Sequence, residues 1–221
     1  LPPPLRPPLR PGALAFGTGW YLFGLTREPE EPPKEERISL RLPLEHQGFR
    51  RYLRVRVLLG LAGMAEPFYA VYAVRTLGQG QELGLYLSLY ALSFTLSNLL
   101  WARLAERGSK GVLQAGAFLA LLAPLLALLL PRHLFGLVFL LQGAYLAALG
   151  LSTTTYLLNL APPEERSAFI GLANTVAGVF AFATVFGGWV ADSLGFSALF
   201  LLAAFLYAWA FYAGRKLPHE G

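Results

Sequence analysis

Six long apolar runs, at residues 57–74, 83–101, 111–130, 134–160, 168–191 and 197–214, alternate with short polar punctuation along the chain. A helix needs about 20 residues to cross the hydrocarbon of a bilayer, so the pattern predicts six membrane-spanning α-helices. Upstream, the run ALAFGTGWYLFGL at residues 13–25 is apolar over only 13 positions. It follows LPPPLRPPLRPG, whose prolines allow a helix no more than its first turn. Residues 1–26 are therefore expected to hold a proline-rich start and a truncated membrane helix, with neither an initiator methionine nor the layout of a cleavable signal peptide. Residues 27–56, rich in Pro, Glu and Arg, carry too few apolar side chains for a core and read as a linker. Residues 215–221 read as a tail.

Polar residues within the spans fall at helical spacing. Tyr86, Tyr90, Ser93 and Ser97 form one stripe on the second span, at intervals of four, three and four. Gln142, Tyr145, Thr153 and Tyr156 share a broader face of the fourth, and Asn174 and Thr175 sit early in the fifth. Polar groups avoid lipid, so these faces are expected to turn toward other helices or a water-filled path. Each supports either interhelical hydrogen bonding or solute contact. In the fifth span Ala173, Ala177 and Ala181, with Gly171 and Gly178, make a small-residue face suited to close packing. Pro67 and Pro124 lie inside spans, where local bends are expected.

One carboxylate stands apart. Glu66, in GLAGMAEPFYAVYAV, is the only acidic or basic residue placed well inside an expected span. Ionisable residues in a membrane are costly and usually face a cavity, where they carry protons or bind substrate. Its helical neighbours Ala62, Gly63, Tyr69, Ala70 and Ala73 are small or polar, with Tyr69 as the expected hydrogen-bond partner. The alternative is a carboxyl that only ties this helix to a neighbour beside the Pro67 bend.

Composition agrees with a membrane chain, at 55% apolar and 14% charged residues. The absence of cysteine removes disulfides and thiolate chemistry, and His46, His133 and His219 are scattered, so no metal site and no cofactor are expected. The net charge of +5 does not indicate nucleic acid, because the basic residues cluster beside apolar runs. Lys and Arg in short loops remain cytoplasmic. Fourteen of the 18 basic residues fall on the side of the linker, the 102–110 turn, the 161–167 loop and the tail, leaving Arg6, Arg10, Arg75 and Arg132 opposite. The expected protein is multi-pass in the cell's inner (plasma) membrane, with linker and C-terminus in the cytoplasm.

The turn between the second and third spans reads LLWARLAERGSKGVL. It resembles the loop signature of the major facilitator superfamily, with Ala102 and Ser109 at the two glycine positions, Glu106 at the aspartate, Arg107 at the arginine and Lys110 at the first basic site. A second copy of the frame, GGWVADSLGF, carries Gly188, Asp192 and Gly195 on the opposite side of the membrane, 86 residues after Ala102. An inverted three-helix repeat within a six-helix half produces this arrangement.

The resemblance covers residues 57–214 and implies an all-α bundle of two inverted three-helix repeats: the C-terminal half of a secondary transporter that moves a small solute by alternating access. It implies a missing N-terminal half, or a second copy, as partner. Glu66, Tyr69, Tyr86, Tyr90, Gln142, Tyr145 and Asn174 become candidates for solute contact or proton coupling. Glu106 and Arg107 become candidates for a latch on the cytoplasmic side, against the plainer role of the basic residues as anchors. Rival readings are an inactive or partner-dependent fragment, and a six-span substrate-binding subunit of a vitamin uptake system. A membrane enzyme is disfavoured, since Glu164 and Glu165 lie in a loop with no matching histidine pair or nucleophile.

Overall fold

The computed structural model describes residues 9–25 and 41–218. The opening residues 1–8, the linker residues 26–40 and the tail residues 219–221 lie outside the described part. The chain divides into two units, Leu1–Arg37 and Ile38–Gly221.

In the first unit, helix α1 (Leu9–Gly24) runs 16 residues. It starts four residues before the expected apolar run, with Pro11 in its first turn, where a missing N–H costs no internal hydrogen bond. At 1.5 Å per residue it spans about 24 Å, less than a hydrocarbon core of about 30 Å.

Among its described residues the second unit holds the short helix α2 (Arg41–Glu45) and six helices long and apolar enough to cross a membrane. The first span, Gln47–Arg75, comprises α3 (Gln47–Ala62), a 3₁₀ turn at Gly63–Ala65 and α4 (Phe68–Arg75). The second is α5 (Leu83–Ala105) and the third α6 (Ser109–Leu129). The fourth joins a 3₁₀ turn at Arg132–Leu134 to α7 (Gly136–Leu160). The fifth, Pro163–Leu194, includes α8 (Arg166–Val179), a 3₁₀ break at Phe180–Phe182 and α9 (Ala183–Leu194). The sixth is α10 (Phe196–Arg215).

The first span corrects the expected linker boundary, because it starts ten residues before position 57. Its basic N-terminal part is an amphipathic helix. Phe49, Tyr52, Val55, Leu59 and Ala62 are buried at intervals of three and four, while Arg50, Arg51 and Arg54 project outward. The arginines point to a linker outside the bundle, whereas the apolar stripe holds the segment inside it. His46 caps the helix, its Nδ1 accepting from the Phe49 amide at 3.2 Å.

The third span lies against the fourth and sixth, the sixth against the first and fifth, and the second against the fourth. Glycine lets two crossings close, the second span with the fourth and the fifth with the first. A Cβ at Gly143 would run into the Tyr90 carbonyl and come within 2.8 Å of the Phe94 amide, so the second and fourth spans meet backbone to side-chain root. At Gly187 a Cβ would lie 2.9 Å from the Met64 carbonyl of the first span. The second and fifth spans bury the least of their surface, presenting Leu92, Leu96 and Leu99 on one and Phe182, Val185 and Trp189 on the other.

Two expectations about helix shape separate here. At Pro67 the first span does change from α-helix through a 3₁₀ turn, whereas α6 runs unbroken through Pro124. The small-residue face of the fifth span is only partly used: Ala173 is buried, but added Cβ atoms at Gly171 and Gly178 would meet open space.

Candidate functional site

The break in the first span sets the position of Glu66. The Glu66 amide donates to the Gly63 carbonyl at 3.1 Å, closing the 3₁₀ turn immediately before Pro67. Because proline donates no backbone hydrogen bond, the α-helical ladder is interrupted here, with an acid at the break. The carboxyl points into the bundle, between the first, fourth and sixth spans.

Tyr207, from the middle of α10, donates its hydroxyl to Glu66 Oε1 at 3.1 Å. Gln142 of the fourth span donates through Nε2 to the Glu66 carbonyl at 3.4 Å. Tyr145, one helical turn beyond Gln142, lies with its ring centroid 6.0 Å from that of Tyr207. Its hydroxyl sits beside the same carboxyl, outside hydrogen-bond geometry. Tyr69 follows Glu66 by three residues on α4 and packs on Phe200, ring centroids 5.3 Å apart. All three tyrosines are fully buried, and the hydroxyls of Tyr69 and Tyr145 have no hydrogen-bond partner among the described residues.

Of the seven candidate residues the structure brings Glu66, Tyr69, Gln142 and Tyr145 together, and the carboxyl's hydrogen-bond donor is Tyr207 and not Tyr69. In sequence Tyr207 is one aromatic residue among many in LLAAFLYAWAF. Its signal is the spacing Phe200, Ala203, Tyr207 and Ala210, the buried stripe of α10.

Tyr86 and Tyr90 go elsewhere. Tyr86 stacks on Phe139, ring centroids 5.1 Å apart and planes 17° from parallel. Ser93 Oγ donates to the Leu140 carbonyl at 2.7 Å, and Trp101 Nε1 to the Ala144 carbonyl at 2.9 Å. The polar stripe of the second span therefore fastens it to the fourth, and Tyr90 backs onto Gly143 in the same crossing.

Asn174 lies on a separate recess of about 200 Å³ between the first, fourth and fifth spans, lined also by Arg56, Thr153 and Thr154. There the Tyr52 hydroxyl donates to the Thr153 carbonyl at 3.1 Å, holding the first span to the fourth. Arg56 was assigned to the linker in sequence; the earlier helix start moves it into this recess.

Ala102, in the last turn of α5, and Glu106 and Arg107, in the turn joining the second and third spans, are exposed. Ser109 is the buried first residue of α6 and follows Gly108, whose φ is +133°. Gly195, with φ of +87°, likewise precedes α10. Only glycine adopts such angles without strain. Lys110 reaches across to the end of α10, donating through Nζ to the Leu217 carbonyl at 2.6 Å, while Gln114 Nε2 donates to the Gly214 carbonyl at 3.2 Å. These contacts tie the start of the third span to the segment that closes the sixth. Gly188 sits 3.5 Å, by its added Cβ, from the Phe68 ring, and Asp192 is exposed.

Among the described residues no group of three His, Cys, Asp or Glu side chains could hold a metal. No curated protein matches the chain. A model of the Major Facilitator Superfamily matches residues 59–219, which takes in most of the first span and all of the other five. With that match across six apolar helices, the chain belongs to the Major Facilitator Superfamily and is a multi-pass membrane protein of a family of transporters.

Proposed function

We propose that these six spans form one half of a secondary transporter that moves a small solute by alternating access, with Glu66 as its coupling carboxyl. The observation that carries this is a carboxyl at a break of a membrane-spanning helix, bonded to Tyr207 of another span and faced by the buried hydroxyls of Tyr69 and Tyr145. Three tyrosine hydroxyls gathered around one carboxyl offer it alternative donors, which favours a site built to exchange partners over one built only to hold helices together. When the break shifts, Glu66 can leave Tyr207 and take a proton or a polar group of the solute.

The helix contacts also support two inverted three-helix repeats. Exchange of spans one to three with spans four to six maps the third–fourth contact onto the sixth–first, and the second–fourth onto the fifth–first. Gly108 and Gly195 start the third and sixth spans alike. The exposed apolar faces of the second and fifth spans suit a second six-span half, supplied by the same polypeptide or by another copy. In this reading the Arg56 and Asn174 recess contacts solute, the basic ends of the spans face the cytoplasm, and the membrane is the cell's inner membrane.

The test is proton-gradient-driven solute accumulation in proteoliposomes holding the complete transporter. Glu66→Gln keeps shape and hydrogen bonding but removes titration. Accumulation should be lost while solute binding persists; accumulation at the native rate would refute coupling through Glu66.

A further inference from the structure

An open groove of about 1000 Å³ lies between the basic end of the first span and the end of the sixth. Its floor is apolar, from Leu53, Val57 and Leu58, and its rim carries Arg51, Arg54 and Lys216. No carboxylate is among the described residues that line it. Arg51 donates to the Lys216 carbonyl at 3.2 Å, and the Lys216 ammonium lies 5.0 Å from the centre of the Tyr212 ring. Arg54 has no hydrogen-bond or ion-pair partner among the described residues and projects outward.

The level of this groove in a bilayer follows from the sixth span. Leu201, Phe205, Trp209 and Tyr212 are exposed at intervals of four, four and three, one outward stripe along the helix. The stripe is wholly apolar until it reaches Trp209 and Tyr212, which line the groove. Tryptophan and tyrosine concentrate where hydrocarbon gives way to headgroups. Three cations therefore stand at headgroup depth above an apolar channel that runs down toward the acyl region.

We propose that this groove binds an acidic phospholipid, its phosphate held by Arg54, Arg51 and Lys216 and its upper acyl chain laid along Val57, Leu58 and Trp209. The arginine fork suits a phosphate better than a zwitterionic headgroup whose own cation would meet the same three charges. A second basic groove, with Arg107, Lys110 and Arg215, is smaller at about 660 Å³, and its Lys110 is already engaged with the Leu217 carbonyl. The proposal is independent of proton coupling, since it requires only that these two spans sit in a bilayer.

The probe is phosphatidylglycerol. The full chain is reconstituted in phosphatidylcholine bilayers with an equal fraction of either brominated phosphatidylglycerol or brominated phosphatidylcholine. Trp209 emission is taken as the difference between the chain and its Trp209→Phe variant. Brominated phosphatidylglycerol should quench Trp209 the more strongly. Each charge removed by Arg54→Gln and Lys216→Gln should weaken the preference about fivefold, while Arg54→Lys with Lys216→Arg should keep most of it. Native mass spectrometry of the detergent-purified chain should show a retained phosphatidylglycerol that the double neutral variant loses. Equal quenching by the two lipids would overturn the proposal. So would a preference that survives the double neutralisation and disappears instead with Arg107→Gln.

Discussion

The Tyr207 hydroxyl donates to Glu66 Oε1 at 3.1 Å, joining the last span to the break of the first across 141 residues of sequence. This bond fixes the carboxyl within the bundle and ties the break to a helix that itself contacts the first, third and fifth spans. A movement that lengthens it changes the surroundings of the acid and the packing of α10 together.

Removal of the donor should therefore cost stability as well as coupling. Tyr207→Phe is expected to destabilise the bundle by about 1 kcal/mol, the usual net worth of one hydrogen bond. In a cycle with Glu66→Gln, measured by reversible unfolding in mixed micelles, the two losses should not add, because the groups share one contact. Full additivity would show that the bond contributes nothing.

At the crossing of the second and fourth spans an added methyl meets backbone, which cannot give way as a side chain can. Gly143→Ala places its Cβ against the Tyr90 carbonyl and the Phe94 amide and should destabilise by about 1–3 kcal/mol. Gly150→Ala, on the same helix with open space around it, should be neutral or stabilising. Detergent-extracted yield and melting temperature distinguish the two outcomes.

Lys110 is expected to secure the end of the sixth span. Its ammonium meets the Leu217 carbonyl at 2.6 Å, and a cation at a helix C-terminus contributes about 0.3–1 kcal/mol, more when partly buried. Lys110→Met should fray this end and speed trypsin cleavage after Arg215 and Lys216, whereas Lys110→Arg should restore protection. Unchanged cleavage in Lys110→Met would remove the capping role.

Orientation can be read with single cysteines, since the chain has none of its own. Ser109 is a poor reporter because it is fully buried and would resist labelling on either side. Glu106, Gln81 and Ser193 are exposed. In intact cells an impermeant thiol reagent should label Gln81→Cys and Ser193→Cys but not Glu106→Cys, and the reverse pattern would invert the orientation.

Much of the fold was legible in the hydrophobic pattern, because a bilayer demands about 20 apolar residues for each crossing. The start of the first span was not, since Arg50, Arg51, Arg54 and Arg56 obscured the stripe Phe49, Tyr52, Val55 and Leu59 that buries it. Glu66 was legible as an acid in an apolar run, and Gln142 and Tyr145 as polar residues on one face of a helix. Periodicity states which residues share a face but not what the face meets. Tyr86 and Tyr90 thus proved to line a helix crossing, while Tyr207 went unnoticed among aromatic neighbours. The 102–110 turn shows the same limit: the sequence does not reveal that the chain turns at Gly108, where φ is +133°.

The central claim is that Glu66 exchanges protons as solute moves, and the most direct measurement is solute-evoked proton flux. Proteoliposomes holding the complete transporter and an internal pH dye are challenged with a panel of small solutes without an imposed gradient. A transported solute should shift internal pH in native vesicles, and Glu66→Gln should abolish the shift while solute exchange continues. An equal pH shift in both would contradict proton exchange at Glu66.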